Sequence, residues 1–553
     1  MKFTSLLAAA LLAGSALSQG NSEPAGAVIP ADVAAAAAAL GPNKPSQGDK
    51  VQFPITSTNS RGAGAIKPQF IATVVIDKLS NVISSVPVSL PIPKLPIGFK
   101  KREPLLGGLF GGGSGGASSS TPSSTPSSTS SSTSSSAPSS ATGALVERMP
   151  TLRFPYTSSS VKVRGVSLGG WLVIENFITP SIYASTGNKN IIDEWTFGSL
   201  QPRSQAVSIL QKHLNTFISE DDIRQIAAAG LNHVRIPIGY WAFEVGPGEP
   251  FLKLNQWDLL KQAVQLCGKY GLKVLVDLHA APGNQNGFEH GGRTGYKDWA
   301  GNATNVQRTI DILQTMSREF SQSKYANSVT AIELLNEPVT DQTVVLDFSA
   351  RAYEVVRFPN GRDKPESPLL VVISDSFISP ADSDYWTNKA RPPNYEGVAI
   401  DSHVYTIFSA EGVALSATDR INYYCSLKPK WAIANQYHPQ IIGEWTPAFT
   451  DCATGLNGRN TGSRFDGTFS STTGYWADCY SRGGDGSTFT ANYKKVLGSM
   501  WEAQVDANEG GAGWMMWTWK TEPRAAEEWS YQKGLQYGWI PRDPTQRPNG
   551  VRC

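Results

Sequence analysis

The chain has 553 residues, with 48 Lys and Arg against 46 Asp and Glu and a formal net charge of +2. So even a balance excludes the basic stripe that a nucleic-acid partner requires, while the length suffices for one large domain with extensions. The 15 Trp and 18 Tyr supply flat apolar faces that match the C–H faces of sugar rings, although an ordinary core uses the same residues.

Residues 1–18 read as a signal peptide. Lys2 provides the positive start, Leu6 to Leu12 a short apolar run, and Ala16-Leu17-Ser18 a small-x-small cleavage site. That run is too short to span a bilayer, no later segment is long and apolar enough, and Arg547 to Cys553 lacks the apolar tail of a lipid-anchor signal. The expectation is a secreted protein, extracellular or held in a cell wall, with no membrane span.

Residues 19–144 differ from the rest. An Ala/Pro-rich stretch leads to Lys100-Lys101-Arg102, which resembles a dibasic processing site as much as a chance basic cluster. A glycine run (Gly107 to Gly116) and a Ser/Thr/Pro tract (Ser118 to Ser140) follow. Such composition buries too little apolar area to offset chain entropy, so a disordered, O-glycosylated stalk or pro-segment is expected.

The compact domain is expected over residues 145–553. Eight apolar runs read as strands: Val163–Gly169, His233–Ile238, Val274–His279, Ala331–Asn336, Leu369–Ser374, Val398–His403, Gln440–Glu444 and Gly513–Trp519. Helical patterns lie between them, among them Ser219–Ala229, Leu259–Tyr270, Val306–Phe320 and Asn492–Val505. This alternation predicts an α/β fold, a (β/α)8 TIM barrel with loop insertions. The rival, a doubly wound open sheet, would need a ligand loop at a switch point, and no Gly-rich phosphate loop follows any run.

Five cysteines in an oxidising compartment allow two disulfides and one free thiol. Spacing leaves the connectivity open; the pairing expected is Cys425–Cys553 with Cys452–Cys479, leaving Cys267 inside an amphipathic helix. Asn302-Ala303-Thr304 is an N-glycosylation sequon.

The chemistry lies at the ends of the runs. Arg235 is in the second, His279 ends the third, Asn336-Glu337-Pro338 the fourth, His403-Val404-Tyr405 the sixth and Glu444-Trp445 the seventh, and Trp517 lies in the eighth. In a TIM barrel these C-terminal ends converge on one mouth. Each residue alone has a structural explanation: a core histidine, a buried ion pair, a turn before proline. Six polar or aromatic groups together do not, because buried polar groups need partners. Two carboxylates across a cleft suit glycoside cleavage, one protonated to serve the leaving oxygen and one ionised to attack the anomeric carbon. Glu337 is assigned as general acid/base, with a pKa raised by its surroundings. Glu444 is assigned as nucleophile, with Arg235 and Tyr405 as donors to its charged form and Asn336 placed for a sugar 2-hydroxyl. No HExxH occurs and the histidines and glutamates come from different strands, so no metal is expected. No G-x-S-x-G elbow occurs either. No cofactor is needed.

The segments Gly165 to Glu175, Val234 to Trp241, Asp277 to Gly283, Leu335 to Pro338, His403 to Tyr405, Gly443 to Trp445 and Trp517 to Glu522, with Trp529-Ser530, resemble fungal exo-β-1,3-glucanases of glycoside hydrolase family 5. The resemblance covers residues 146–553 and implies the same roles for Glu337 and Glu444. It also implies that Arg235, His279, Asn336, His403, Tyr405 and Trp517 frame the first sugar subsite, that Glu175 binds the terminal glucose, and that Phe288 and Phe408 clamp the next sugar. The chain departs from the family pattern at Glu289-His290-Gly291-Gly292, where Asp-Asn-Ser-Gly is usual, and at Ala280, where glycine is usual. Both changes touch the pocket wall, so linkage preference stays open between β-1,3-glucan, β-1,6-glucan and a rutinose-type diglycoside. A non-catalytic wall-glucan-binding protein is the remaining alternative. The expected partner is a β-glucan polysaccharide or oligosaccharide, acted on by a monomer.

Overall fold

The computed structural model describes residues 50–55, 70–75 and 151–553. The signal peptide, the basic Lys100-Lys101-Arg102 cluster and the Ser/Thr/Pro tract lie outside the described residues. Two short strands, β1 (Lys50–Ile55) and β2 (Phe70–Val75), pair antiparallel within the unit Met1–Ala137. The Ala/Pro content of the segment predicts no strand there, but Phe70-Ile71-Ala72-Thr73-Val74-Val75 is rich in β-formers.

The unit Pro138–Cys553 contains a closed parallel barrel. Its strands are β3 (Val163–Ser167), β4 (His233–Gly239), β5 (Lys273–Ala280), β6 (Val329–Glu333), β7 (Leu370–Ser374), β8 (Val398–Val404), β9 (Gln440–Trp445) and β10 (Gly513–Met516). β10 pairs with both β9 and β3, which closes the ring. All eight coincide with the runs expected from sequence. β6 and β10 stop short, at Glu333 and Met516, so that Asn336, Glu337 and Trp517 sit just past the strands.

Side chains alternate along each strand, so each strand feeds two cores. On β5, Val274, Val276 and Leu278 pack toward the helices. Leu275 packs inside the barrel with Val163, Ala331, Leu370, Val372, Ala399, Ile441 and Met515. Two and four residues further on, the inward positions of β5 become Asp277 and His279. The switch from apolar to polar therefore occurs within the barrel interior, on its way to the C-terminal mouth.

Several helices begin where the sequence supplies caps. Ser219 and Asp222 form a capping box on Glu220–Ala228. Asn302, the sequon residue, caps Ala303–Phe320 by accepting from the N–H groups of Thr304 and Asn305. The disulfides are Cys425–Cys553 and Cys452–Cys479, as expected. Cys267 is free and buried, and burial pushes its thiol up to about 12, which leaves it unreactive. Among the described residues no helix is long and apolar enough to cross a membrane.

Candidate active site

Arg235 on β4 is the hub of the mouth. Its side chain is fully buried and each of its three nitrogens has a partner. Nε donates to Glu333 Oε2 (2.9 Å), Nη1 to Glu444 Oε1 (2.7 Å) and Nη2 to Asn336 Oδ1 (2.8 Å), with Asp277 Oδ2 3.1 Å from Nη2. A planar fork suits this divergent set as a lysine could not. Burial opposes the charge on Arg235, but Asp277, Glu333, Glu444 and Asp401 outweigh it and hold the guanidinium protonated. Burial raises Glu333 well above the carboxylate range, against the pull of Arg235.

Glu444 ends β9 with both oxygens engaged, Oε1 by Arg235 and Oε2 by the Tyr405 hydroxyl (3.0 Å). It follows Gly443 for a steric reason. A Cβ on Gly443 would lie 2.2 Å from Asp401 Oδ2, while its bare N–H donates to Asp401 Oδ1 (2.7 Å). The pairing of β8 with β9 shifts register there, between Asp401 and His403, which sets His403 opposite Glu444.

Glu337 follows β6 with φ 45°, in the left-handed region. A non-glycine residue there costs roughly 1–3 kcal/mol, a strain that clusters at functional sites. Its Oε1 lies 2.7 Å from His403 Nδ1 and its Oε2 3.4 Å from His290 Nε2. One oxygen of Glu337, one of Glu444 and a ring nitrogen of His403 all lie within 4.8 Å of one another.

Charge is distributed otherwise than the sequence reading expected. Burial opposes ionisation of Glu337, but the His403 hydrogen bond and the charge of that ring outweigh it and hold the carboxyl down at about 2. Burial likewise disfavours protonated His403, but Glu444, Asp401 and Glu337 raise it well above the ordinary imidazole range. In the free protein the proton therefore rests on His403, one hydrogen bond from Glu337. An acid raised by its surroundings was expected. The correction arises because β8 sets an imidazole between the two glutamates.

Around this centre, His279 Nδ1 pairs with Asp277 Oδ2 (2.6 Å) and its ring stacks on Trp517 (5.5 Å, 12°). Gly169 makes room for that indole, since a Cβ there would lie 2.6 Å from it. Glu175 is buried, accepts from Gly170 N–H (3.2 Å), and is raised well above the usual range by burial and by Glu289, Glu444 and Glu337. Phe288 and Phe408 are exposed; Phe288 packs near His290 (5.5 Å) and Phe408 on Tyr405 (5.3 Å).

Comparison with known proteins identifies the family. A family model described as Cellulase (glycosyl hydrolase family 5) matches residues 200–458. A glucan 1,3-beta-glucosidase of Pichia angusta is 37% identical over 402 residues, covering 70% of this chain and 88% of that one. A probable glucan 1,3-beta-glucosidase A of Aspergillus niger is 39% identical over 416 residues, covering 74% and 96%. This chain belongs to glycosyl hydrolase family 5. The crystal structure of a rutinosidase from Aspergillus niger, at 21% identity and a TM-score of 0.51 over 69% of this chain and 98% of that one, shares the fold.

Within this family 5 glycoside hydrolase the mouth brings together Arg235, His279, Asn336, Glu337, His403, Tyr405, Glu444 and Trp517. Glu175 couples to them through charge, and the two phenylalanines stand further out. Sequence reasoning passed over Asp277, Glu333 and Asp401. The signal was present: each is an acid inside an apolar run, and two of them precede a mouth histidine by two residues, on the same face of the strand. Gln285 was also missed. Buried, its amide donates to the carbonyls of His279 and Asn336 (2.8 and 2.9 Å) and so ties the ends of β5 and β6 together. A loop glutamine carries no sequence signal for this. Phe377, exposed past β7 with φ 63° and edge-on to Phe288 (6.5 Å), was missed as well.

Proposed function

We propose that this enzyme is a secreted, exo-acting, retaining glucan 1,3-β-glucosidase, releasing glucose from the non-reducing ends of β-1,3-glucan. One observation carries the reading. Oxygens of Glu337 and Glu444 stand within 4.8 Å, and the Glu444 carboxylate is gripped by Arg235 and Tyr405. A retaining pair is about 5–5.5 Å apart, whereas an inverting pair leaves about 6.5–9.5 Å for water. The relatives' names support the glucosidase activity and the linkage. Two disulfides and the Lys2 to Ser18 pattern support secretion, with signal peptide 1–18, extension 19–144 and catalytic domain 145–553.

In this reading Glu444 attacks the anomeric carbon as the glycosidic C–O bond breaks. The leaving oxygen takes from Glu337 the proton that His403 first passes to it across 2.7 Å. The two events are coupled by charge. Glu444 is the main charge that keeps the proton on His403, so spending its negative charge on the new bond releases that proton toward Glu337. In the second half, Glu337 and His403 take a proton from water as it displaces the sugar from Glu444. Any other hydroxyl serves equally, so transfer to sugars is expected. Asn336, oriented by Arg235, offers its amide to the 2-hydroxyl, and Trp517 and Glu175 hold the ring.

Proton NMR of a β-1,3-gluco-oligosaccharide digest tests this. Glucose appearing first as the β-anomer supports exo action with retention. The α-anomer first would overturn the nucleophile, and release of larger fragments would overturn exo action. A second reading, a β-1,6-glucanase or a rutinose-releasing diglycosidase, rests on Glu289 and His290 in the pocket wall. It takes over if the β-1,3 substrate stays intact while one of those is cut.

A further inference from the structure

The loop after β9 carries an exposed aromatic group that the reaction does not use. Tyr475, Trp476 and Tyr480 are 66%, 53% and 85% exposed. Aromatic rings are usually at least half covered, and bare neighbours on one loop mark a contact surface.

The loop that presents them is built. Asp451 is buried and accepts from the backbone N–H groups of Arg464 (2.7 Å) and Phe465 (3.0 Å), from Ser463 Oγ (2.7 Å) and from Asn457 Nδ2 (3.0 Å). Burial disfavours its charge, but these bonds outweigh it and keep it ionised. The Phe465 carbonyl accepts from Trp476 N–H (3.0 Å) and Ala477 N–H (3.2 Å), and Cys479 is bonded to Cys452. The backbone under the rings is thus tied at three points. The inner side of the loop packs onto the active-site floor: Phe465, Ala477 and Cys479 share an apolar cluster with Trp517, Trp529 and Tyr405. Trp529 continues to Phe408 at the mouth, with ring centroids 6.3 Å apart.

We propose that Tyr475, Trp476 and Tyr480 form a non-catalytic platform that holds a β-glucan chain while its end occupies the pocket. The inference rests on the reading above as a glucan hydrolase. Two features of the segment from Ser470 to Gly483 favour a polysaccharide occupant. Its rings carry polar tips, suited to a ligand that is apolar on its faces and wet at its edges. The loop is also continuous, through its packing, with the site that takes the sugar.

The test compares a soluble β-1,3-glucan polymer with an aryl β-glucoside too short to reach the loop, using the full chain and a variant carrying Tyr475→Ala, Trp476→Ala and Tyr480→Ala. The platform predicts a polymer KM about tenfold higher, the size of one or two aromatic contacts. It also predicts weaker retardation in a native gel containing the polymer, and an unchanged kcat/KM on the aryl glucoside. Equal polymer retardation and KM in parent and variant would overturn it. So would a parallel fall on both substrates, which would make the loop a support of the pocket. A change in oligomeric state with no change on polymer would assign the rings to a protein contact instead. If the parent is retarded by the polymer but does not cut it, the substrate reading falls and the platform stands. If it is neither retarded nor cuts it, both fall.

Discussion

The two ends of the barrel interior are built from the same eight strands and do opposite work. Toward the N-terminal ends, Val163, Leu275, Ala331, Val372, Ala399, Ile441 and Met515 interdigitate as a dry core. One or two inward positions further along, the same strands present Arg235, Asp277, Glu333, Asp401 and Glu444, with one guanidinium set among four acids. The apolar layer stabilises the fold simply by leaving water. The charged layer costs desolvation and is held only because its members pair. Stability and chemistry are thus separated by about 7 Å of strand, two residues' rise, and substitutions in the two layers should fail differently.

The largest expected effect is Glu444→Gln. Turnover should fall below about a thousandth of the parent while the unfolding midpoint stays within a few degrees, read by substrate hydrolysis and thermal denaturation on one sample. A variant that keeps its activity would sink the assignment of the nucleophile. Arg235→Met should damage both properties. It leaves several acids without their cation, at a cost of about 3–5 kcal/mol, and frees Glu444 from its donor; denaturant unfolding measures the loss. In the dry layer, Leu275→Ala should cost about 2–5 kcal/mol through cavity formation yet leave kcat near that of the parent at low temperature. Were activity to fall in proportion to a Glu444 substitution, the separation of the two layers would be refuted.

The pH dependence sharpens the contrast. Beside the mouth, burial pushes Glu289 up to about 8 from an ordinary 4.5, even though it accepts from Asn176 N–H. The folded protein then binds this proton more tightly than the unfolded chain. The stabilisation is full below about pH 4.5 and is lost as the pH rises through about 8. The unfolding midpoint should therefore decline between those values, and Glu289→Gln should flatten part of the decline; a slope unchanged in that variant would remove Glu289 from the account. The smallest effect belongs to the mouth aromatics. Phe288→Ala or Phe408→Ala should raise KM for oligosaccharides about three- to tenfold, the value of one aromatic contact, without moving the unfolding midpoint.

Much of the molecule was legible beforehand. Short apolar runs between helical patterns located all eight strands, and polar residues at their ends located the mouth, because a run of apolar residues and the polar residue that ends it are both local facts of sequence. Glu337 and Glu444 stood out since nothing apolar explained them. The acids within the runs, Asp277, Glu333 and Asp401, were hidden by the same rule that found the strands, which counts apolar neighbours and overlooks the exception.

What the sequence determined by itself is the barrel, its polar end and the identity of the groups there, since each follows from periodicity and from the cost of burying charge. Only the tertiary structure decided which group holds the proton. His403, Glu337 and Glu444 come from three different strands, and their proton affinities depend on separations of 2.7 and 3.6 Å between side chains far apart in the chain. Coulomb energy varies with that distance and with the surrounding dielectric, and neither is written in the order of the residues.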